Sequence, residues 1–485
     1  MNGNQRSRSS RFDQNDDVVV LKFGGTSVQD AAAIRRVIGI VQSRVKMTSQ
    51  PVVVVSALAR VTDQLLAAGH GAAGGHLGSA LATAREIYVR HERLADELAD
   101  GDPEGTLDRA LRCEFKDLEA LLHDLAASRQ FDLQAQDHLL GFGERFSSKL
   151  ITAAFTAAGV DAVHIDAQKC IVTDARHGQA SPVWEETNLR LQNALTSATE
   201  TETVSVLGGF IASTCDAVPT TLGRGGSDYT AAIVGAAIGA GRIEIWTDVD
   251  GVMTADPKLC PEARVIRKMS FEEAAELAYY GAKVLHPATL APAMRANIPV
   301  HVLNSLKPEG EGTEITARAR TGHAVSAITA KRNVASVEIE ALQGLDSEVL
   351  RAVVAACDQY AYPVDALGSS PGRVSLLVGS PGALPEIAAD LQGIADVRWE
   401  NHKALVCLVG ENIRRQPHLA SRALAAVSDM NVRVVSQGAS DRTISFLVEE
   451  SKVEESVRRL HSAFFPQQEP VRDWGEATAA FCQAR

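Results

Sequence analysis

The 485-residue sequence has no apolar run of about 18 residues, the length a membrane-spanning helix needs. No membrane partner is therefore expected. Its seven cysteines are scattered, and no two form a C-x-x-C pair. That argues against a zinc ribbon or a disulfide framework. It fits reduced thiols, so a cytoplasmic location is expected. Positive charge is in deficit: 48 Lys and Arg stand against 60 Asp and Glu, a formal net charge of -12. With no basic stripe, a nucleic-acid partner is not expected either. The first 17 residues are polar and lack the apolar segment of a secretory signal, so residues 1–17 read as a disordered tail. No G-x-x-x-x-G-K-[ST] phosphate loop occurs. What remains is a chain too long for one ordinary core, with 45% hydrophobic and 22% charged residues. Two to four globular domains are expected.

The stretch Leu222-Gly223-Arg224-Gly225-Gly226-Ser227-Asp228 stands out. Its glycines leave the backbone bare, so N–H groups can approach an anion. Arg224 adds a planar fork suited to a carboxylate or phosphate. A β-prone run, Val204 to Phe210, precedes it, and a small-residue apolar run from Tyr229 follows. Strand, glycine loop and helix start in succession are how α/β proteins build anion sites. The competing reading is a tight turn carrying a surface arginine.

The chain around it reads as α/β. Val18 to Phe23 and Pro51 to Val55 are continuous β-branched runs, as in strands covered on both faces of a parallel sheet. Gly24-Gly25-Thr26-Ser27 follows the first, and helical periodicity starts near Asp30. Residues of about 67–140 form a helical insertion rich in Ala, Leu, Glu and Arg. Arg242 to Asp248 is a strand ending in a turn-rich loop, and Pro299 to Leu303 is the last strand of this domain. The glycine-rich segment Lys307 to Gly312 marks its end. Beyond it a β-α-β-β-α order occurs twice, about 70 residues apart, which is an internal repeat.

Five motifs together, Lys22 to Ser27, Gly143 to Ser148, Leu222 to Tyr229, Trp246 to Val252 and Gly281 to Pro287, resemble the aspartate kinase family in order and spacing. The doubled tail resembles that family's paired ACT regulatory domains. The resemblance implies a three-layer α/β/α amino-acid-kinase catalytic domain at 18–308, followed by two α+β ferredoxin-like ACT domains at 315–395 and 400–468. The segment 470–485 could complete the first of these. The implied reaction takes the γ-phosphate of ATP to the β-carboxylate of L-aspartate, with Mg²⁺ as the cofactor carried by ATP and no resident metal. A carboxylate acceptor has a reference pKa of about 4 and needs no general base. What such a reaction needs is positioning and positive charge around the γ-phosphate.

The same resemblance implies residue roles. Lys22, Asp228 and Lys283 are the catalytic candidates. Asp228 either orders the glycine loop or holds Mg²⁺ through water. Thr62, Glu144, Phe210, Arg224, Gly225 and Ser227 would line the aspartate pocket, with Arg224 on the α-carboxylate and Glu144 on the ammonium. Glu144 reads equally well as a helix-start carboxylate. ATP would meet Lys22, Gly24, Gly25, Ser27, Thr247, Asp248, Met253, Lys258 and Lys283. Met253 stands where the family commonly has Tyr, and Lys258 where it has Arg. Arg60 and Asp63 flank Thr62 where Gly and Asn are usual. In the tail, Val364, Asp365 and Ser370 are the effector candidates, for lysine or threonine. The family's Glu in that pocket is missing here. A homodimer through the ACT domains is expected.

Overall fold

A computed structural model of the protein describes residues 15–47, 50–99, 105–199, 203–282, 287–319, 324–342, 344–360, 364–379, 382–433, 435–437 and 440–466. Two compact units result. The first holds residues up to Val252, Val265–Ala278 and Lys283–Thr321; the second holds Met253–Arg264, Tyr279–Ala282 and the rest from Gly322.

The strands of the first unit, in chain order, are β1 (Asn15–Phe23), β2 (Gln50–Val55), β3 (Ala162–Ile165), β4 (Val172–Thr173), β5 (Val204–Gly208), β6 (Ile211–Thr214), β7 (Pro219–Thr221), β8 (Ala240–Thr247), β9 (Lys268–Ser270), β10 (Val300–Asn304) and β11 (Thr313–Thr316). Eight of them make one sheet in the order β3-β5-β2-β1-β8-β10-β11-β9. All its pairings are parallel except β10 with β11. β4, β6 and β7 form a small second sheet.

β1 lies between β2 and β8, and the consecutive residues Val18, Val19, Val20 and Leu21 are all buried, so both of its faces are covered. This is why its apolar run does not alternate. Each such side chain contributes roughly 1.5–3 kcal/mol on burial. Asp30 starts the helix Ala31–Val45 by accepting from the Ala33 N–H at 2.8 Å. The helices Val61–Ala73, Leu77–Leu98, Thr106–Ser128, Leu133–Leu140 and Phe142–Ala157 follow β2 and share the core of β1 through Leu65, Ile87, Leu118 and Phe146. The helical region thus begins at Val61, earlier than the expected 67. The tail expectation is also shortened. β1 starts at Asn15, which pairs with Ala240, and residues 1–14 lie outside those described.

The parallel strands end in register. Phe23 lies opposite Val55 and Trp246, Val55 opposite Gly208, and Thr247 opposite Asn304. The loops after β1, β2, β5, β8 and β10 therefore emerge along one edge, the edge where open α/β sheets hold ligands. The first unit also runs past the expected end at 308. β11 pairs back onto β10 and keeps Thr313–Thr316 with it.

The second unit has one antiparallel sheet of β12 (Ala327–Ala341), β13 (Val364–Ser370), β14 (Arg373–Gly379), β15 (Ala395–Val409), β16 (Val435–Gln437) and β17 (Thr443–Glu449), ordered β13-β14-β12-β15-β17-β16. The helices Ser347–Gln359, Leu384–Asp390, Pro417–Ala426 and Val453–Phe464 intervene. The two predicted repeats are present, but they share strands. β12 and β15 each run 15 residues and pair from Ala327 opposite Val409 to Ala341 opposite Ala395. The sequence suggests two separate strands around Val325 and Val334. The structure has one, β12, with an irregularity at Lys331–Val334, where Asn333 takes a φ of 57°. The proposed completing segment, 470–485, lies outside the described residues.

Candidate active site

The edge of the first sheet carries a cleft of about 440 Å³. Lys22, Gly25, Thr62, Glu144, Phe210, Arg224, Gly225, Ser227 and Asp228 all line it. They come from separate strand ends and from the heads of separate helices.

Lys22 is the next-to-last residue of β1 and is 9% exposed. Its Nζ lies 2.7 Å from Asp228 Oδ1, with the two side chains 11% and 14% exposed. A buried pair of this kind fixes the ammonium in place, and loss of either partner would leave a charge unmatched. Asp228 sits in the first turn of the helix Gly226–Ile238, where the helix dipole favours a carboxylate. The loop before that helix turns at Gly225, whose φ is 72°. Gly226 must be bare for another reason: a Cβ there would stand 2.6 Å from Phe210 Cδ2. Phe210 itself is left-handed, with φ 65°. It is held by donating its N–H to Thr230 Oγ1 at 2.9 Å and accepting from the Leu222 N–H at 2.9 Å. Strain of this sort is kept where a site requires it.

Glu144 opens the helix Phe142–Ala157 and is 3% exposed. Oε1 accepts from the Ala57 N–H at 3.0 Å, while Oε2 has no hydrogen-bond partner. Burial is the largest influence and pushes the carboxyl up to about 8; the Ala57 N–H and the Lys22 charge pull the other way without reversing it. A carboxyl with one free buried oxygen beside a cleft awaits a cationic or donating ligand. Arg224 is exposed in the cleft wall and Thr62 stands in the first turn of Val61–Ala73. The geometry can therefore accept an anion at the cations and an ammonium at Glu144.

The glycine loop rests on a cluster that the sequence did not signal. Asp137 is buried and accepts from His177 Nδ1 at 2.8 Å, from the Gly178 N–H at 3.0 Å and from Thr221 Oγ1. Thr221 directly precedes Leu222, so Asp137 anchors the loop's base.

Residues 17–304 match the model of the amino acid kinase family, and 406–464 match an ACT domain model. Aspartokinase 3, chloroplastic, of Arabidopsis thaliana is 33% identical over 465 residues, 92% of this chain and 81% of that protein. The chain belongs to the aspartokinase family. Lysine-sensitive aspartokinase 3 of Escherichia coli is 32% identical over 93% of this chain and 99% of that protein. The crystal structure of E. coli aspartokinase III in complex with aspartate and ADP, called its R-state, superposes with a TM-score of 0.80 at 31% identity, over 92% of this chain and 100% of that one. Its complex with lysine and aspartate, the T-state, gives 0.77 at 31% identity, over 93% and 100%.

In this aspartokinase-family chain the remaining predicted residues divide. Gly24, Gly25 and Ser27 form the turn after β1, and Gly24 donates its N–H to the Trp246 carbonyl at 3.2 Å. Thr247 ends β8 and its Oγ1 donates to exposed Asp248 Oδ1 at 3.2 Å. Ser305, not singled out from sequence, ties the two strand ends together. Its Oγ is 2.8 Å from Ser27 Oγ and donates to the Thr247 carbonyl at 3.1 Å. Its position just after a buried strand was the available signal. Met253 and Lys258 fall in the second unit, and Lys283 lies outside the described residues. In the second unit, Asp365 lies in β13 with its carboxylate paired to Lys331. Val364 precedes it. Ser370 is exposed at the far end of the same strand, opposite Arg373. The intervening length of strand puts it about 16 Å from Asp365, too far to share one small ligand. Among the described residues no helix is long and apolar enough to cross a membrane.

Proposed function

We infer that this chain transfers the γ-phosphoryl group of MgATP to the β-carboxylate of L-aspartate, giving 4-phospho-L-aspartate and ADP. The observation that carries the reading is the cleft in which a fixed ammonium, Lys22, faces the same space as Arg224 and the half-satisfied Glu144. An amino acid with an acidic side chain offers the complement of that set. Its α-carboxylate suits the planar fork of Arg224 and its ammonium suits Glu144, with Thr62, Phe210, Gly225 and Ser227 closing the pocket.

The β-carboxylate is ionised at neutral pH and attacks the γ-phosphorus directly. The new O–P bond forms as the bond to the β,γ-bridging oxygen breaks, and ADP departs with that electron pair. Lys22, aligned by Asp228, lowers the cost of bringing two anions together. Gly25 offers its N–H to the phosphates, while Gly24 and Ser27, whose N–H groups are bonded to the Trp246 and Gly24 carbonyls, shape the turn beside them; Thr247 and Asp248 at the end of β8 take the nucleotide. Among the described residues no group of three or more His, Cys, Asp or Glu side chains could hold a metal. Magnesium bound to the triphosphate would supply charge neutralisation there, and Asp228 in the cleft wall is the residue that would hold it, through water.

The second unit is read as the regulatory part. Relatives are named lysine-sensitive or crystallised with lysine. We propose that lysine or threonine acts on this chain through the ACT sheet near Val364 and Asp365, and that two chains pair through it. The test is trapping of acyl phosphate by hydroxylamine with MgATP and L-aspartate, with L-glutamate as the alternative acceptor. Hydroxamate formed from aspartate alone supports the reading. Hydroxamate from glutamate alone, or from neither, overturns it.

A further inference from the structure

Arg60 stands where its own conformation is unfavourable. Its φ is 72°, in the left-handed region that suits glycine. It lines the cleft, it is exposed, and among the described residues no carboxylate or carbonyl is bonded to its guanidinium. The backbone just before it is firmly held. Arg90 donates to the Ala59 carbonyl at 2.8 Å and to the Gln29 carbonyl at 2.7 Å. Burial, with the nearby Arg60 charge, lowers the Arg90 pKa, while Asp30 opposes. Two like charges are thus kept near one another, and among the described residues the exposed one has no carboxylate paired to it, so its guanidinium is open to an anion in the cleft.

The segment before Arg60 touches both halves of the site. The Ala57 N–H reaches Glu144 Oε1 at 3.0 Å, and the Ala59 N–H reaches the Gly25 carbonyl at 3.1 Å. Arg60 therefore follows directly from the contact between the ammonium end of the pocket and the phosphate-side turn. We propose that Arg60 is a specificity-determining residue, whose guanidinium binds the side-chain carboxylate of the acceptor. Arg224 holds the α-carboxylate and Glu144 the ammonium, so the acceptor is read at three points and must be an acidic amino acid. Holding the β-carboxylate beside the Gly25 turn places the nucleophile next to the phosphates. An arginine held in a glycine conformation is strained, and a binding role accounts for its retention.

This inference rests on the functional reading above, and the test separates the two. Kd is measured by calorimetry without nucleotide, for L-aspartate and for L-asparagine, which keeps the α-carboxylate and ammonium but offers an amide. The variants are Arg60→Gly, which suits the backbone, and Arg60→Asn, which tolerates it and keeps a polar side chain. Hydroxamate formation by the unaltered protein is run beside them. A charge-assisted hydrogen bond corresponds to about a 10- to 100-fold weakening for aspartate in both variants. Asparagine binding should change less than about threefold, because its amide gains little from a guanidinium. Equal losses for the two ligands, or no loss for aspartate, would overturn the assignment of Arg60 while leaving aspartate turnover standing. Failure of the unaltered protein to turn over aspartate would overturn the functional reading, and the Arg60 inference with it.

Discussion

Glu144→Gln is the perturbation with the most specific consequences. In the free protein the Glu144 carboxyl has a pKa of about 8, because burial penalises its charge. At pH 7 only about one in ten molecules carries the ionised form, and at pH 6 about one in a hundred. An ammonium ligand binds the ionised form. The KM for aspartate should therefore be about tenfold above its high-pH limit at pH 7, and level off above about pH 8. Binding at pH 7 should release about 0.9 proton, measurable by calorimetry in two buffers of different ionisation enthalpy. The amide of the Glu144→Gln variant would keep the bond from the Ala57 N–H and lose the charge. Removing one member of a buried charge pair costs about 2–5 kcal/mol, so KM should rise at least about 30-fold and lose its pH dependence. Stability moves the other way. The folded carboxyl binds its proton up to about 8, against a usual value of 4.5. The stability contributed here is fully present below 4.5 and is lost as pH rises through about 8. The variant should thus gain Tm over the unaltered protein at about pH 8 and little at about pH 4.5. A KM that stays flat from about pH 6.5 to about pH 8.5, or a variant with unchanged KM, would refute the ammonium assignment.

Further expectations concern the rest of the cleft and the ACT sheet. Lys22→Ala should lower kcat by about 10³-fold, since it removes the positioned cation and leaves Asp228 unpaired; a loss under tenfold in a hydroxamate assay would remove Lys22 from the chemistry. Gly226→Ala puts a Cβ 2.6 Å from the Phe210 ring and should displace the glycine loop, raising KM for aspartate about tenfold or more while circular dichroism stays unchanged. Asp137→Ala removes the anchor beneath Thr221 and leaves its buried donors unmatched, so a Tm loss equivalent to about 2–3 kcal/mol is expected by thermal melting. Asp365→Ala strips the partner from Lys331 and should abolish any inhibition by lysine, while turnover without effector is unchanged.

Much of this was legible in the residues. The unbroken Val run of β1 and β2 announced strands covered on both faces, because a strand buried on both sides has no polar face to alternate. Asp30 marked a helix start through capping chemistry that acts within three residues. Glu144 was ambiguous, since a carboxylate in a first helical turn has a local explanation. Its burial, its unpartnered Oε2 and its bond from the Ala57 N–H, 87 residues away, separate it from a simple cap, and all three exist only in the folded chain. Arg60 read as a minor departure. Only its backbone angle shows that a left-handed turn is needed there. The division of the long tail into two sequential domains missed that β12 and β15 serve both repeats, because strand sharing is a property of pairing and leaves no mark on a single strand.

The order of elements, the doubled β-α-β-β-α tail and the residue types at the strand ends follow from the residues alone, since periodicity, capping and glycine placement act over a few positions. The tertiary structure decided which of those residues meet. Lys22 and Asp228 are far apart in the chain, and parallel pairing of β1 with β8 and the packing of the helix Gly226–Ile238, which leads into β8, against β1 bring them to 2.7 Å. It also decided their charge states, because a carboxyl is pushed up to about 8 only when a folded core withdraws water from it.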